Sequence, residues 1–449
     1  MKDLTTGSEG KLIFKFALPM LLGNVFQQVY NVVDSIIVGN ALGKEALSAV
    51  GASFPILFVL ISLVIGIAMG GGIIISQYFG AKDYDKVKKA IGTMYIFLFL
   101  VSFVITAIGL IFSESIFRLI QLPEEIIPQA NEYLTIILAG IITMFGFNGT
   151  SGILRGLGDS KTPLYFLILS TILNIILDLL FVIVFKWGIS GVAWATVISQ
   201  GIAFLTATIY LNKTHKLISI RLKTIRLNLE IFKKMITVGL PSGFQQMMAA
   251  MGMMALFRIV NAFGTNTIAA YSVAGRIDSF AIMPAMNFSA ALTSFIGQNI
   301  GAGKLYRVKR GYISTLIMTL VISSFFTIVM VFFGRPLMSI FTPDLEVINI
   351  GVEYLIIVSS FYLIFTALFI TLSVFRGAGD TLAPMIITLI ALWLIRIPIS
   401  YFLSEKIGTN GIWWGIPISW GSGLLIAVVY YFTGIWKNKA VVKAPIPKK

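Results

Sequence analysis

The sequence has 449 residues, of which 57% are hydrophobic and only 12% are charged, and its mean hydropathy is +0.93. Soluble domains carry about 25% charged residues, so this composition excludes a water-soluble globular protein and predicts an integral membrane protein. The net charge is +15, and the basic residues lie beside apolar runs, which indicates contact with anionic lipid rather than with nucleic acid. The lack of cysteine excludes disulfides, thiolate metal sites and a cysteine nucleophile.

A transmembrane helix needs about 20 apolar residues, and twelve such runs follow one another along the chain. We therefore expect an all-α protein with short loops and no soluble catalytic domain. The polar first ten residues have no cleavage-site pattern, so we expect no cleaved signal peptide. The predicted spans are 13–37, 46–75, 91–112, 130–153, 163–184, 189–211, 235–260, 268–296, 312–333, 350–374, 383–403 and 411–432.

The distribution of basic residues predicts the orientation. With both termini inside, 26 of the 34 Lys and Arg residues lie in inner segments, 5 lie in outer loops and 3 lie within spans. Cytoplasmic loops carry such an excess of Lys and Arg. We therefore expect a multi-pass protein of the inner (plasma) membrane with both termini in the cytoplasm.

The two halves of the chain repeat each other at an offset of about 221 residues. The segment 75–81 (ISQYFGA) recurs at 296–302 (IGQNIGA), and 155–159 (RGLGD) recurs at 376–380 (RGAGD). Each half contains six spans, so the copies insert with the same orientation. This predicts a pseudo-twofold axis along the membrane normal and two six-helix bundles, an arrangement typical of transporters that rock around a central cleft. A purely structural repeat is the alternative.

The repeat also predicts the domain organisation. The segment between the halves contains Arg221 and Lys223 among Leu and Ile, and it is either an amphipathic surface piece or a solvated linker. The predicted parts are an N-terminal bundle (1–211), a cytoplasmic linker (212–234), a C-terminal bundle (235–432) and a cytoplasmic tail (433–449).

Buried carboxylates are the strongest signal of function, because charges within a membrane are costly. Asp34 and Asp178 both fall in the outer halves of their spans, and Asn174 is one helical turn before Asp178. Two carboxylates and an amide form a hard-oxygen cluster that suits a proton or Na⁺, and cation binding would relieve their repulsion. A hydrogen-bonded Asp that only fixes helix packing is the alternative. The other acids within predicted spans are Glu132, Asp278 and Glu353.

Other residues carry weaker signals. Asp278 is predicted to form a structural ion pair, and Pro19 in the first span is either a hinge or a static bend. The Met-rich seventh span suits promiscuous apolar binding or ordinary packing. The only histidine, His215, lies in a polar loop, so a proton relay would depend on carboxylates. The candidate residues of a substrate cleft are Gln27, Tyr30, Gln245, Gln246, Met248, Arg258 and Arg396.

Energy is predicted to come from an ion gradient. The segment 156–162 (GLGDSKT) lacks the G-x-x-x-x-G-K-[ST] spacing of a phosphate-binding loop, and its copy in the second half has no lysine. The loops are also too short for a nucleotidase. We therefore expect no enzyme activity and no cofactor apart from a coupling ion.

The ordered motifs Leu18-Pro19, 77–81 (QYFGA) and 155–159 (RGLGD), within twelve spans in two parallel halves, resemble the multidrug and toxic compound extrusion (MATE) family over nearly the whole chain. The resemblance implies an antiporter that exports organic cations or amphipathic compounds in exchange for H⁺ or Na⁺. It also implies a cation site in the N-terminal bundle made of Asp34, Asn174, Asp178 and Thr196. The acids that another branch carries in its seventh and tenth helices have no counterparts here, around Ala249 and Phe365.

The sequence thus predicts a cation-coupled multidrug antiporter that works as a monomer, with drug-like molecules and membrane lipids as its partners. A flippase for a lipid-linked saccharide is the main alternative, because Arg258, Arg276 and Arg396 would suit a pyrophosphate. A channel or a membrane-embedded enzyme is a third possibility, without a recognisable filter, metal cluster or nucleophile.

Overall fold

The computed structural model describes residues 2–119, 122–214 and 226–442, and within these ranges the chain is helical with no strand. Two π-helical segments, π1 (Leu179–Val184) and π2 (Ile390–Arg396), interrupt two of the spans. The α-helices are α1 (Glu9–Leu42), α2 (Lys44–Gly80), α3 (Tyr84–Leu119), α4 (Ile127–Ala139), α5 (Ile141–Gly156), α6 (Lys161–Asp178), α7 (Ile189–Thr214), α8 (Leu229–Asn261), α9 (Thr265–Gly301), α10 (Leu305–Ser339), α11 (Leu345–Ser359), α12 (Tyr362–Ala378), α13 (Leu382–Leu389), α14 (Ile397–Ile407) and α15 (Thr409–Thr433).

These helices confirm the predicted all-α membrane architecture. In the described part of the chain, nine helices are long and apolar enough to cross a membrane, and eleven spans result when each of two bent pairs counts as one. The remaining predicted span corresponds to α8, which has 33 residues but is less apolar because it contains Gln245 and Gln246. Each predicted span therefore has a helix or a helix pair in the structure.

Two of the predicted spans, 130–153 and 350–374, are formed by bent helix pairs. The α4–α5 pair bends by 51° and the α11–α12 pair by 49°, at repeat-related positions. Thr106 Oγ1 donates to the Leu138 carbonyl at 2.6 Å, and Thr327 Oγ1 donates to the Ser359 carbonyl at 2.7 Å. Both carbonyls lie in the last turn before a bend. The threonine hydroxyls therefore satisfy backbone groups where the helical ladder is broken.

The helices form two compact units. Unit 1 contains residues 18–243 and unit 2 contains residues 4–17 together with the chain from 244 onward. The unit boundaries lie within α1 and α8, beside Pro19 and Pro241, rather than in the linker. The part of that linker with His215, Arg221 and Lys223 lies outside the described residues, as does the tail from residue 443.

Unit 2 holds the N-terminal segment through polar contacts. The Leu4 amide donates to Gln298 Oε1 at 3.0 Å, and Asn299 Nδ2 donates to the Leu4 carbonyl at 3.1 Å. Arg307 pairs with Glu9 at 3.0 Å, and the exposed fractions of these two side chains are only 7% and 16%. The repeated Gln-containing motif at the end of α9 therefore has a structural role.

Unit 1 contains a close crossing of α2 and α8 built on glycines. Each helix carries a Gly-xxx-Gly motif, Gly66 with Gly70 on α2 and Gly239 with Gly243 on α8. A Cβ on Gly66 would lie 2.0 Å from the Gly243 amide nitrogen, and one on Gly70 would lie 2.6 Å from the Gly239 Cα. Small residues let transmembrane backbones approach closely. This packing explains why the first part of α8 belongs to unit 1.

Candidate cation site in unit 1

The structure brings Asp34 and Asp178 into contact within unit 1. Asp34 lies on α1, and Asp178 is the last residue of α6, where π1 begins. Their carboxyl groups lie within hydrogen-bonding distance of each other, and Asp178 is fully buried. A hydrogen bond between two carboxyl groups requires a proton on one of them, because an ionised carboxylate only accepts. The two carboxyl groups can therefore share a proton or another cation between two oxygens.

Asn174 and Thr196 complete one side of this cluster. The Asn174 amide, oriented by its hydrogen bonds, donates from Nδ2 to Asp178 Oδ2 at 2.8 Å and accepts at Oδ1 from the Thr196 amide at 3.2 Å. Thr196 Oγ1 donates to the Val192 carbonyl at 3.1 Å. Asn174 thereby ties α6 to α7 and fixes one oxygen of Asp178.

Two tyrosines surround the acids. Tyr30, one helical turn before Asp34, forms a side-chain hydrogen bond with Thr196 and lies within electrostatic range of both aspartates. Tyr133 on α4 is buried and lies near Asp34, Asp178 and Tyr30. Tyr30 was predicted as a substrate-cleft residue, and the structure places it beside Asp34, Asp178 and Thr196.

Sequence reasoning missed Tyr133, although a signal for it was present. The repeat pairs 132–134 (EYL) with 353–355 (EYL), so Tyr133 corresponds to Tyr354. Tyr354 lies beside an acid in unit 2, where its hydroxyl donates to Asp278 Oδ2 at 3.3 Å. The sequence signal for the position is therefore the tyrosine that the repeat retains in both halves.

The cluster has free acceptor capacity. The Oδ1 atoms of Asp34 and Asp178 are both buried without a hydrogen-bond partner. Buried polar groups are normally satisfied, so these two carboxyl oxygens are available to accept from a ligand or a water molecule. The donor set of carboxylate, amide and hydroxyl oxygens suits a hard monovalent cation. Within the described ranges, no three His, Cys, Asp or Glu residues come together to hold a metal ion.

Unit 2 presents a different environment around Asp278. The Tyr362 hydroxyl donates to Asp278 Oδ1, and Tyr354 donates to the other oxygen. Arg396 lies within electrostatic range, but among the described residues no basic nitrogen comes within 4.0 Å of this carboxylate. The predicted structural ion pair of Asp278 is therefore replaced by tyrosine hydrogen bonds.

The other substrate-cleft candidates occupy varied positions. Gln245 is buried, where its Nε2 donates to the Pro384 carbonyl at 3.2 Å and to Thr388 Oγ1 at 2.6 Å, so its amide serves packing within unit 2. Of the other candidates, Gln246 and Arg258 are exposed, whereas Gln27, Met248 and Arg396 are partly buried.

Comparison with known proteins identifies the family. A family model described as MatE matches residues 19–180 and 241–402, one segment in each half. The chain belongs to the MatE family. Both matched segments begin at the proline beside a unit boundary, Pro19 in α1 and Pro241 in α8. The predicted resemblance is thereby confirmed, and the protein is a multi-pass membrane transport protein.

Relatives and solved structures agree with this assignment over almost the full length. The chain is 36% identical over 97% of both chains to the "Probable multidrug resistance protein YpnP" of Bacillus subtilis (strain 168). It is 28% identical to the "Probable multidrug resistance protein NorM" of Thermotoga maritima, over 96% of this chain and 94% of that one. A solved "Outward-facing conformation of a multidrug resistance MATE family transporter" matches with a TM-score of 0.90 at 26% identity, over 98% and 99% of the two chains. These relatives support multidrug export and small-molecule substrates.

Proposed function

We propose that this MatE transporter is an antiporter that exports organic cations or amphipathic compounds in exchange for H⁺ or Na⁺. The observation that supports the proposal is the contact between Asp34 and Asp178, each with a buried, unpartnered oxygen. The relatives named as multidrug resistance proteins support the class of substrate.

The acid pair supplies the physical basis for coupling. Two ionised carboxylates in contact repel each other and lose their hydration, so the emptied pair is unfavourable. A proton or Na⁺ relieves this cost and draws α1 and α6 together through Asp34 and Asp178. Loss of the cation releases α1 from α6, and Pro19 lies in α1 where its helical hydrogen bonding is weakened. Binding and release of the cation would in this way change the shape of unit 1.

An ion gradient is sufficient for such a transporter. One elementary charge that crosses 100 mV releases about 2.3 kcal/mol, whereas a tenfold concentration ratio requires about 1.4 kcal/mol. We propose that both termini lie on the cytoplasmic side of the plasma membrane, because the segments on that side hold most of the Lys and Arg residues. We also propose that the protein works as a monomer.

Replacement of Asp34 by Asn should abolish ion-driven efflux. The amide can still hydrogen-bond Asp178, but it can neither release a proton nor supply a negative charge to Na⁺. The test is dye efflux from proteoliposomes in which the Na⁺ and pH gradients are imposed separately. We expect one gradient to drive wild-type efflux and neither to drive that of Asp34→Asn, while dye still moves down its own gradient.

The matched control is Asp85→Asn, which removes an exposed carboxylate from the first turn of α3. It should leave efflux unchanged. Undiminished gradient-driven efflux by Asp34→Asn would remove the proposed role of this residue.

A further inference from the structure

Unit 1 contains a cleft of about 670 Å³ at the C-terminal end of α1. Its volume falls in the range of small-molecule sites, about 300–1,000 Å³. One wall is the last turns of α1, and the other is π1 with the turn that follows it. Ile36, Asn40 and Ala41 line the first wall, and Ile183 and Lys186 line the second.

The walls of the cleft are apolar and open. Ile36 and Ile183 come from opposite walls, and each is 54% exposed. In a membrane protein such an exposed hydrocarbon surface favours contact with hydrocarbon rather than with water. The walls therefore fit a flexible acyl chain.

The rim of the cleft carries positive charge and no negative charge. Lys186 is its only charged lining residue, and in the described part of the chain its ammonium forms no ion pair within 4.0 Å. The turn is fixed beneath it, because the Trp187 amide donates to the Phe181 carbonyl at 2.9 Å and these two rings stack at 4.7 Å. Asn40 adds an exposed amide donor on the opposite wall. The rim therefore fits a phosphate group.

Aromatic residues indicate the depth of this rim in the membrane. Phe185 and Trp187 flank Lys186 and are each 49% exposed. Trp is enriched at the level of lipid head groups, where Lys also reaches the phosphates. The rim thus lies where a phospholipid places its charge.

We propose that this cleft binds one anionic phospholipid, with its phosphate at Lys186 and Asn40 and an acyl chain between Ile36 and Ile183. The walls are the segments that directly follow Asp34 on α1 and Asp178 on α6. A lipid in the cleft would therefore contact both of the helical segments that leave the acid pair.

The second half provides a contrast at the repeat-related position. Lys406 corresponds to Lys186 at an offset of 220, with Gly408 matching Gly188. The Lys406 ammonium lies 4.4 Å from the centre of the Phe402 ring, so its charge already has a partner. Lys406→Gln is consequently a matched control for Lys186→Gln.

Native mass spectrometry of the full-length protein in detergent, titrated with dioleoyl phosphatidylglycerol or dioleoyl phosphatidylcholine, tests the proposal. We expect the wild type to retain one phosphatidylglycerol in preference to phosphatidylcholine. Lys186→Gln should weaken that binding about fivefold, as expected for one basic residue near an anionic lipid. Lys406→Gln should bind as the wild type does.

A second variant and a soluble anion make the test specific. Ala41→Trp should fill the cleft and displace the lipid while Lys186 stays in place. Glycerol 3-phosphate should not compete at concentrations where the lipid binds. Equal retention of the two lipids by the wild type would overturn the proposal. Unchanged lipid binding by Lys186→Gln and Ala41→Trp, or competition by glycerol 3-phosphate, would also overturn it. These readouts measure binding alone, so they do not depend on the proposed antiport.

Discussion

Asp178→Asn should abolish gradient-driven efflux, and the double variant Asp34→Asn/Asp178→Asn should be no worse than either single variant. Removal of one partner from a buried, charge-assisted contact costs about 2–5 kcal/mol, which corresponds to at least about thirtyfold weaker cation binding. Replacement of one carboxylate already removes the shared cation, so replacement of the second has no further effect on cation binding. The losses of transport caused by the two single replacements should therefore not add.

Transport rates of the four proteins in this double-mutant cycle, measured in proteoliposomes under the driving gradient, provide the test. Circular dichroism and thermal unfolding confirm that each variant is folded. Additive losses in the double variant would mean that Asp34 and Asp178 act separately, which contradicts a shared cation.

Gly239→Val should prevent unit 1 from assembling. A Cβ at this position would lie 2.4 Å from the Ile67 Cα, which is a backbone atom and cannot rotate away. Overpacking of a well-packed contact typically costs about 1–3 kcal/mol and occasionally more, and a contact between two backbones leaves little room for relief. We expect little monodisperse protein after solubilisation and a thermal midpoint well below that of the wild type.

Gly51→Val is the control for Gly239→Val. Gly51 lies on α2 in the same unit, and a Cβ built there meets no atom within 4 Å. This variant should have a near wild-type yield and midpoint. A Gly239→Val protein as stable as Gly51→Val would show that the glycine crossing does not hold α8 in unit 1.

Much of the fold could be predicted from the sequence, because the lipid environment imposes long apolar runs on each span. The apolar run of α8 was the weakest of these signals, because Gln245 and Gln246 lower its hydropathy. The bends could not be predicted, since a glycine such as Gly140 within an apolar run is compatible with a straight helix. The unit boundaries within α1 and α8 depend on tertiary contacts, of which the glycine crossing is one, and these cannot be read from the order of the spans.

The candidate site was predicted as far as local spacing allows. Asn174 and Asp178 are four residues apart, so one helical face presents both, and both prove to lie in the cluster with Asp34. Gln245 had the same polar signal within a span, yet its amide is used to bind α13. Composition cannot tell which face of a helix meets a neighbour, so the repeated EYL motif marked Tyr133 as a recurring position without showing that it lies beside the acids.

Ion counterflow tests the central claim most directly. Proteoliposomes are loaded with a transported dye and no ion gradient, and the uptake of H⁺ or Na⁺ is measured with a pH-sensitive dye or with radioactive sodium. We predict that dye efflux through the wild type drives one of these ions inward, and that the Asp34→Asn/Asp178→Asn variant moves dye without moving either ion. Undiminished ion counterflow through the double variant would contradict the claim that the two aspartates carry the coupling ion.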